Sequence, residues 1–502
     1  MPSVGNLDSV KAEASSLLRD LAASRPSSHL GRLYLRCFTD SLEFLDACVD
    51  EDARMPDRYI TGLATTVNHL VDRDSREPAA LAEVLQARLA GAARLIDTVR
   101  HLTAFVDPAQ LFHVKRAYET LSLMCGRARE SVREGWSLLP VATLDRIDAG
   151  LQDLSRLALL ARIEPSVTGP TPAAPGVHSG ESSTAAPAPE TYSSALRRLF
   201  GMDQAGLESW CDEEIQRCHE ELLEMSELVA PGEDPPTMLF RELPACGAPE
   251  EMFPLMERFV GIARRESLKH IDLPEGEKCL VTKVPEQVRD SYPWGGYAGG
   301  CVYRRPPLGE VFLNETNYRA VTRGWLEMMA IHECYPGHHA QWANTLVSRL
   351  PETIRLGAKM TPVREGAAHR SEELLEHIFP EKAFPAFVAY RRLHCALRVK
   401  ADLDLHAHGR SATRVMELYR TYLGFDEASA RGQVLYQEQN PGYMACYYYG
   451  FKALRELELR SGMDRASFTR FIFNCGPISL DRLQELVLDS TAQERAEYLR
   501  GL

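Results

Sequence analysis

Between residues 164 and 192 the chain runs through EPSVTGPTPAAPGVHSGESSTAAPAPET, a stretch of Pro, Ala, Gly, Ser and Thr with almost no large apolar side chain. Such a composition cannot bury enough surface to offset the entropy of ordering it. It reads as a flexible linker or loop that divides the chain into an N-terminal helical lobe (1–163) and a second lobe (193–502). In the first lobe, LAEVLQARLAGAARLIDTVRHL puts Leu81, Val84, Leu85, Leu89, Leu95 and Val99 at the spacings of one helix face. Helical periodicity resumes at Tyr192. Only between about 268 and 316 does the texture change, where KCLVTKV and EVFLNE are short β-branched or aromatic runs separated by Pro and by YPWGGYAGG. The expected fold is mainly α, with two helical lobes around a cleft and a small β-sheet element bordering it.

The net charge of −13, from 57 Lys and Arg against 70 Asp and Glu, leaves no basic face for a phosphate backbone, so nucleic acid is not an expected partner. No apolar run approaches the roughly 20 residues that span a bilayer, so no membrane partner is expected either. The opening MPSVGNLDSVKAEASSLLRD lacks a cationic start followed by an apolar stretch, which predicts a cytoplasmic protein. Twelve cysteines without a CxxC pair are read as reduced core thiols.

The chemistry concentrates in Ile331 to Gln341, IHECYPGHHAQ. A His-Glu pair followed by further histidines is what a hydrolytic zinc site requires, with imidazoles as ligands and Glu333 as the base beside them. The spacing is wrong for a regular helix. His338 would point about 120° away from His332, and His339, on the right face, would lie about 10 Å further along, too far for one metal. Pro336 removes the objection, because a proline lacks the backbone donor and clashes with the carbonyl four residues earlier, that of His332 itself. If Pro336 and Gly337 loop out, His338 falls where the second ligand belongs, and the glycine supplies backbone freedom. His339 stays open as a ligand, as a catalytic or substrate-binding group, or as a capping residue.

A third ligand is usually a carboxylate from a following helix. Thr361-Pro362 is a good helix start, with Thr as cap, and places Glu365 in the first turns. Glu365 is the chosen ligand and Glu372 the reserve, with His369 and Glu372 able to orient ligands from the same face.

The motif HExxPGHHxQ (His332 to Gln341), followed by Glu365-Gly366 and Glu372, resembles the bacterial DUF885 family, which is grouped with the gluzincin zinc peptidases. The resemblance continues in Arg398 to His406, similar to the family's R-x-x-x-D-x-G-x-H, in Pro441 to Gly450, similar to P-G-Q-A-x-x-Y-x-x-G, and in Asn314. Together these motifs cover about residues 285 to 460. The resemblance implies a gluzincin-like metallopeptidase: a mostly helical zinc hydrolase with one zinc per chain on His332, His338 and Glu365, acting on a peptide or small amide-containing substrate. Glu333 would move the proton. Tyr447, perched in a Tyr447-Tyr448-Tyr449 run, is either an oxyanion-stabilising phenol or a packed aromatic. His406, Asn314 and Tyr443 are candidate substrate-binding groups, His406 being equally readable as half of a buried pair with Asp402. The strand at EVFLNE is expected at a sheet edge, able to pair with an extended peptide. Departures from the family pattern at Ala367, His369, Asp404 and Tyr443 motivate an alternative, a hydrolase or C–N bond-transforming enzyme acting on a small biosynthetic intermediate. A non-catalytic scaffold is the rival from another class.

Overall fold

The computed structural model describes all residues except 1–3, 75, 104–107, 164–188, 242, 287, 288, 290, 291, 293, 357–359 and 502. The linker expected at 164–192 lies outside the described residues up to 188, and its last part is helical, since a helix spans Pro189–Phe200. The chain forms two compact units, one of Met1–Ala23 with Leu42–Ala185 and one of Ser24–Ser41 with Ala186–Leu502. Residues 24–41, which the sequence reading grouped with the first lobe, thus pack with the second.

The first unit is a helical bundle. Helix Pro108–Gly135 packs on both Asp57–Asn68 and Val141–Ile163, and Pro78–Thr103 packs on Val141–Ile163. The stripe read from the sequence is its core: Leu81, Leu85, Leu95 and Val99 are buried, with Val84 and Leu89 partly buried against them.

The second unit is built around helix Phe384–His406, in which only Pro385, Lys400 and Asp404 escape burial. A helix buried on every side belongs to the middle of a core. Helix Gln204–Val229 lies along it. Beside it, helices Thr361–Leu374 and Cys446–Ser461 pack closely on each other. Two glycines permit this: a Cβ on Gly366 would sit 2.3 Å from the backbone of Gly450, and one on Gly450 would sit 2.0 Å from the Pro362 carbonyl oxygen. The close approach brings Glu365, next to Gly366, and Tyr447, about one turn before Gly450, onto one cavity wall.

Three strands complete the unit: β1 (Lys278–Lys283), β2 (Gly295–Ala298) and β3 (Leu308–Leu313), in the order β1-β3-β2. β3 runs parallel to β1 and antiparallel to β2. The expectation that EVFLNE forms an edge strand is therefore corrected, because both of its ladders are occupied. The edge strand beside the cavity is β2, whose Gly295, Gly296 and Tyr297 line it.

Candidate metal centre

Helix Arg323–Met329 starts at Thr322, whose hydroxyl accepts from the Trp325 N–H, and widens into a π-helical turn over Ala330–Cys334 that carries His332 and Glu333. The turn stops at Tyr335, which is extended (φ −135°, ψ 121°), and a new helix, His338–Val347, begins after Pro336 and Gly337. The proline-directed break read from the sequence is present, but as two separate helices rather than a dipeptide looped out of one. Gly337 is needed for space and not for an unusual φ, which is −80°. A Cβ there would lie 1.8 Å from the carbonyl oxygen of His332. Gly337→Ala must therefore displace the His332 backbone, and since disturbing what holds a ligand in place typically costs about 10–100-fold in metal affinity, a loss of that order is expected. Competition with a chromophoric chelator measures it, and wild-type affinity in the variant would rule the close approach out as a constraint.

The new start turns His338 back toward His332. Their Nε2 atoms lie 3.2 Å (His338) and 3.6 Å (His332) from Glu365 Oε2, and the three ligand atoms all fall within 4.8 Å of one another. All three residues are buried. Glu365 sits on helix Thr361–Leu374, which has Met360 rather than Thr361 at its cap position and Pro362 in its first turn. On the far side of His332, Nδ1 donates to Glu372 Oε1 at 2.7 Å, an ionised carboxylate being able only to accept. In the neutral imidazole this puts the proton on Nδ1 and leaves the Nε2 lone pair directed at Glu365. Tyr443 donates its phenol to Glu365 Oε1 at 2.9 Å and orients that carboxylate in the same manner. His332, His369 and Glu372 form a second group of possible ligands that shares His332. The Glu372 bond to His332 Nδ1 makes Glu372 a supporting group, and His369 Nδ1, 3.1 Å from Glu372 Oε2, lacks hydrogen-bond geometry.

Electrostatics describe a site short of positive charge. Burial alone would lower the His332 imidazolium, but Glu365, Glu372 and Glu333 around it raise its pKa to about 9. Burial would raise Glu365, yet His338 and His332 hold it well below the usual carboxylate range. His338 Nδ1 has no hydrogen-bond partner among the described residues. Converging lone pairs in a buried space need protons or a cation between them, and two imidazole nitrogens with a carboxylate oxygen are a donor set that suits a divalent transition metal.

The surrounding cavity, of ≈ 260 Å³, is lined by residues of the second unit alone. Glu333, Tyr443 and Tyr447 face it. Glu333 is half-buried and makes no hydrogen bond to a described residue. The Tyr447 ring stacks parallel to that of His332, with centroids 5.7 Å apart, and its hydroxyl is 3.4 Å from that of Tyr443.

Three expected site residues are elsewhere. His339 is fully buried with both ring nitrogens engaged: Nε2 donates to Glu277 Oε2 (2.7 Å) and Nδ1 accepts from the Tyr297 hydroxyl (3.2 Å). The reading of His339 as ligand or catalytic group is corrected; it anchors the cavity wall. His406 donates Nε2 to the Gln437 carbonyl at 2.9 Å and does not line the cavity. Its neighbour Asp402, pushed up to about 7 by burial, accepts from Tyr192 and from the Gly442 N–H, and so holds the turn that delivers Tyr443. Asn314 is buried too: its amide donates to the carbonyls of Arg289 and Tyr292 and its oxygen accepts from Thr316. Both are corrected from substrate-binding to structural roles. Sequence reasoning missed Glu277, the arginines Arg364, Arg391 and Arg398 in the cavity wall, and Tyr436. Arg398 alone carried a signal, opening a recognised motif.

The fold resembles two solved structures. One is described as a "putative lipoprotein" from Colwellia psychrerythraea, with TM-score 0.75 and 16% identity over 99% of this chain and 92% of that one. The other is described as a "putative lipoprotein of unknown function" from Shewanella oneidensis, with TM-score 0.65 and 14% identity over 97% and 93%. No curated protein matches the chain. Among the described residues no helix is long and apolar enough to cross a membrane. The sequence profile of "Bacterial protein of unknown function (DUF885)" matches residues 2–487, and the chain belongs to that family.

Proposed function

We propose that this protein is a gluzincin-type zinc hydrolase that cleaves amide bonds, in the first instance those of peptides, with one zinc on His332, His338 and Glu365. The observation that carries the reading is the gathering of those three ligand atoms within 4.8 Å, beside a Glu333 that faces the same cavity and whose side chain bonds to no described residue. A bound zinc supplies Lewis acidity toward a carbonyl oxygen and makes a water acidic enough to react near neutral pH. Glu333 takes the proton of the attacking water and passes it to the leaving amine. Glu372 and Tyr443 keep His332 and Glu365 in place, and the Tyr447 phenol donates to the carbonyl oxygen as it gains charge.

Two histidines and a carboxylate also suit iron(II) in oxygenases. The free Glu333 favours hydrolysis, since a proton-transferring carboxylate is what a hydrolytic site requires beside its ligands. Eleven of the twelve cysteines are free thiols, which supports a reducing, cytoplasmic setting.

Elemental analysis should find about one zinc per chain. A chelator should abolish cleavage in a panel of blocked peptides and small amides, and added zinc should restore it. Stoichiometric iron, or no metal uptake from a zinc-containing buffer, would overturn the reading; cleavage of small amides alone would move it to the biosynthetic alternative.

A further inference from the structure

Arg398 is a buried cation in the cavity wall that no carboxylate among the described residues answers. It is 5% exposed, on helix Phe384–His406. Its Nε and Nη2 donate to Gln433 Oε1 at 3.1 and 3.0 Å, and Nη1 faces Cys395 Sγ at 3.9 Å; both partners are neutral. Among the described residues it forms no ion pair. Arg391, two turns earlier on the same helix, differs in having Glu372 Oε1 3.8 Å from its Nε. A buried charge without a counter-charge is costly to maintain, and Arg398 still has guanidinium N–H groups to donate. The carboxylates that line the cavity, Glu333 and Glu365, stand at the ligand cluster.

The position of Arg398 relative to that cluster sets a length. Its guanidinium carbon is 4.8 Å from the centre of the Tyr447 ring, which is 5.7 Å from that of His332, so it lies at most about 10.5 Å, the two distances added, from the His332 ring. An extended residue spans about 3.3–3.6 Å. For a carboxylate held on the side of Arg398 that faces the cluster, the roughly 2.8 Å of the charge-assisted bond comes off that bound, which leaves about one or two residues between it and a carbonyl at the ligand cluster.

We propose that Arg398 receives the free α-carboxylate of the substrate's C-terminal residue, so that the enzyme acts as a carboxypeptidase on the last or next-to-last amide bond. This rests on the hydrolase reading above. Water adds across the amide C–N bond: its oxygen joins the carbonyl carbon, one proton passes through Glu333 to the departing amine, and the released fragment keeps its carboxylate on Arg398. Arg364, half-buried in the same wall, is the rival for that role.

The test uses the full chain and an N-acetylated tripeptide of neutral residues, as the free acid and as its C-terminal amide. By calorimetry the metal-free protein should bind the acid at least about tenfold more tightly than the amide. The zinc-loaded protein should cleave the acid with kcat/KM about a hundredfold above the amide. Arg398→Gln should bring both ratios close to one, and Arg398→Lys should retain part of them. Equal binding of acid and amide by the wild type overturns the proposal without any variant. So does a ratio that survives Arg398→Gln, or one that collapses in Arg364→Gln instead. Acid-selective binding in a protein that takes up no zinc and cleaves nothing would support the Arg398 assignment and sink the hydrolase reading. Zinc-dependent cleavage of acid and amide alike would do the reverse.

Discussion

His338→Ala is expected to leave the protein folded and without zinc or turnover, while its neighbour His339→Ala keeps zinc and loses stability. The two side chains are adjacent in sequence and opposite in duty. His338 offers Nε2 to the cluster at 3.2 Å from Glu365, and with it gone only His332 and Glu365 remain, below the three protein ligands that catalytic zinc normally uses. The fall in affinity should go well beyond the roughly 10–100-fold typical of losing a supporting hydrogen bond. His339 has no lone pair to give, since both nitrogens are bonded within the wall. Removing it leaves Glu277 buried with only Tyr335 and Arg264, and a buried acceptor that loses a partner costs about 1–3 kcal/mol. Zinc content by elemental analysis and midpoints in urea separate the two effects. Zinc retained in His338→Ala and lost in His339→Ala would reverse the ligand assignment.

The choice between these histidines shows where sequence suffices and where it stops. Pro336 announces a break because its ring and missing donor act on its own segment, and the break alone decides which way His338 turns. Glu365 was reachable for the same reason, four residues into a helix whose start Pro362 marks. The role of His339, by contrast, is set by Glu277, which lies 62 residues earlier and meets it only once β1 has been placed beside the π-helical turn. His406 and Asn314 carry motif positions but spend their polar atoms on the carbonyls of Gln437, Arg289 and Tyr292. Nothing local distinguishes such a residue from one that faces substrate. Strand order has the same character: EVFLNE has the pattern of any short strand, and only the crossover that brings β1 alongside puts it in the middle.

Glu333→Gln is expected to keep zinc, fold and substrate affinity while turnover falls by about a hundredfold or more, the share that a positioned general base contributes. The substitution preserves size and the ability to accept a hydrogen bond, so a water can still be oriented, but an amide cannot take its proton. The structure favours a clean result. Glu333 makes no hydrogen bond to a described residue, so no partner is left unsatisfied, and it does not belong to the group formed by His332, His338 and Glu365. Its charge does act on His332, whose imidazolium it helps to raise, and removing that charge eases deprotonation of a ligand nitrogen. The same charge attracts a dication directly, so zinc binding in the variant should weaken, but far less than on loss of a ligand, which removes a donor outright. Elemental analysis and single-turnover rates on a blocked peptide read the two quantities independently. Wild-type turnover would remove Glu333 from the proton path, and zinc lost together with turnover would make it a ligand instead of a base.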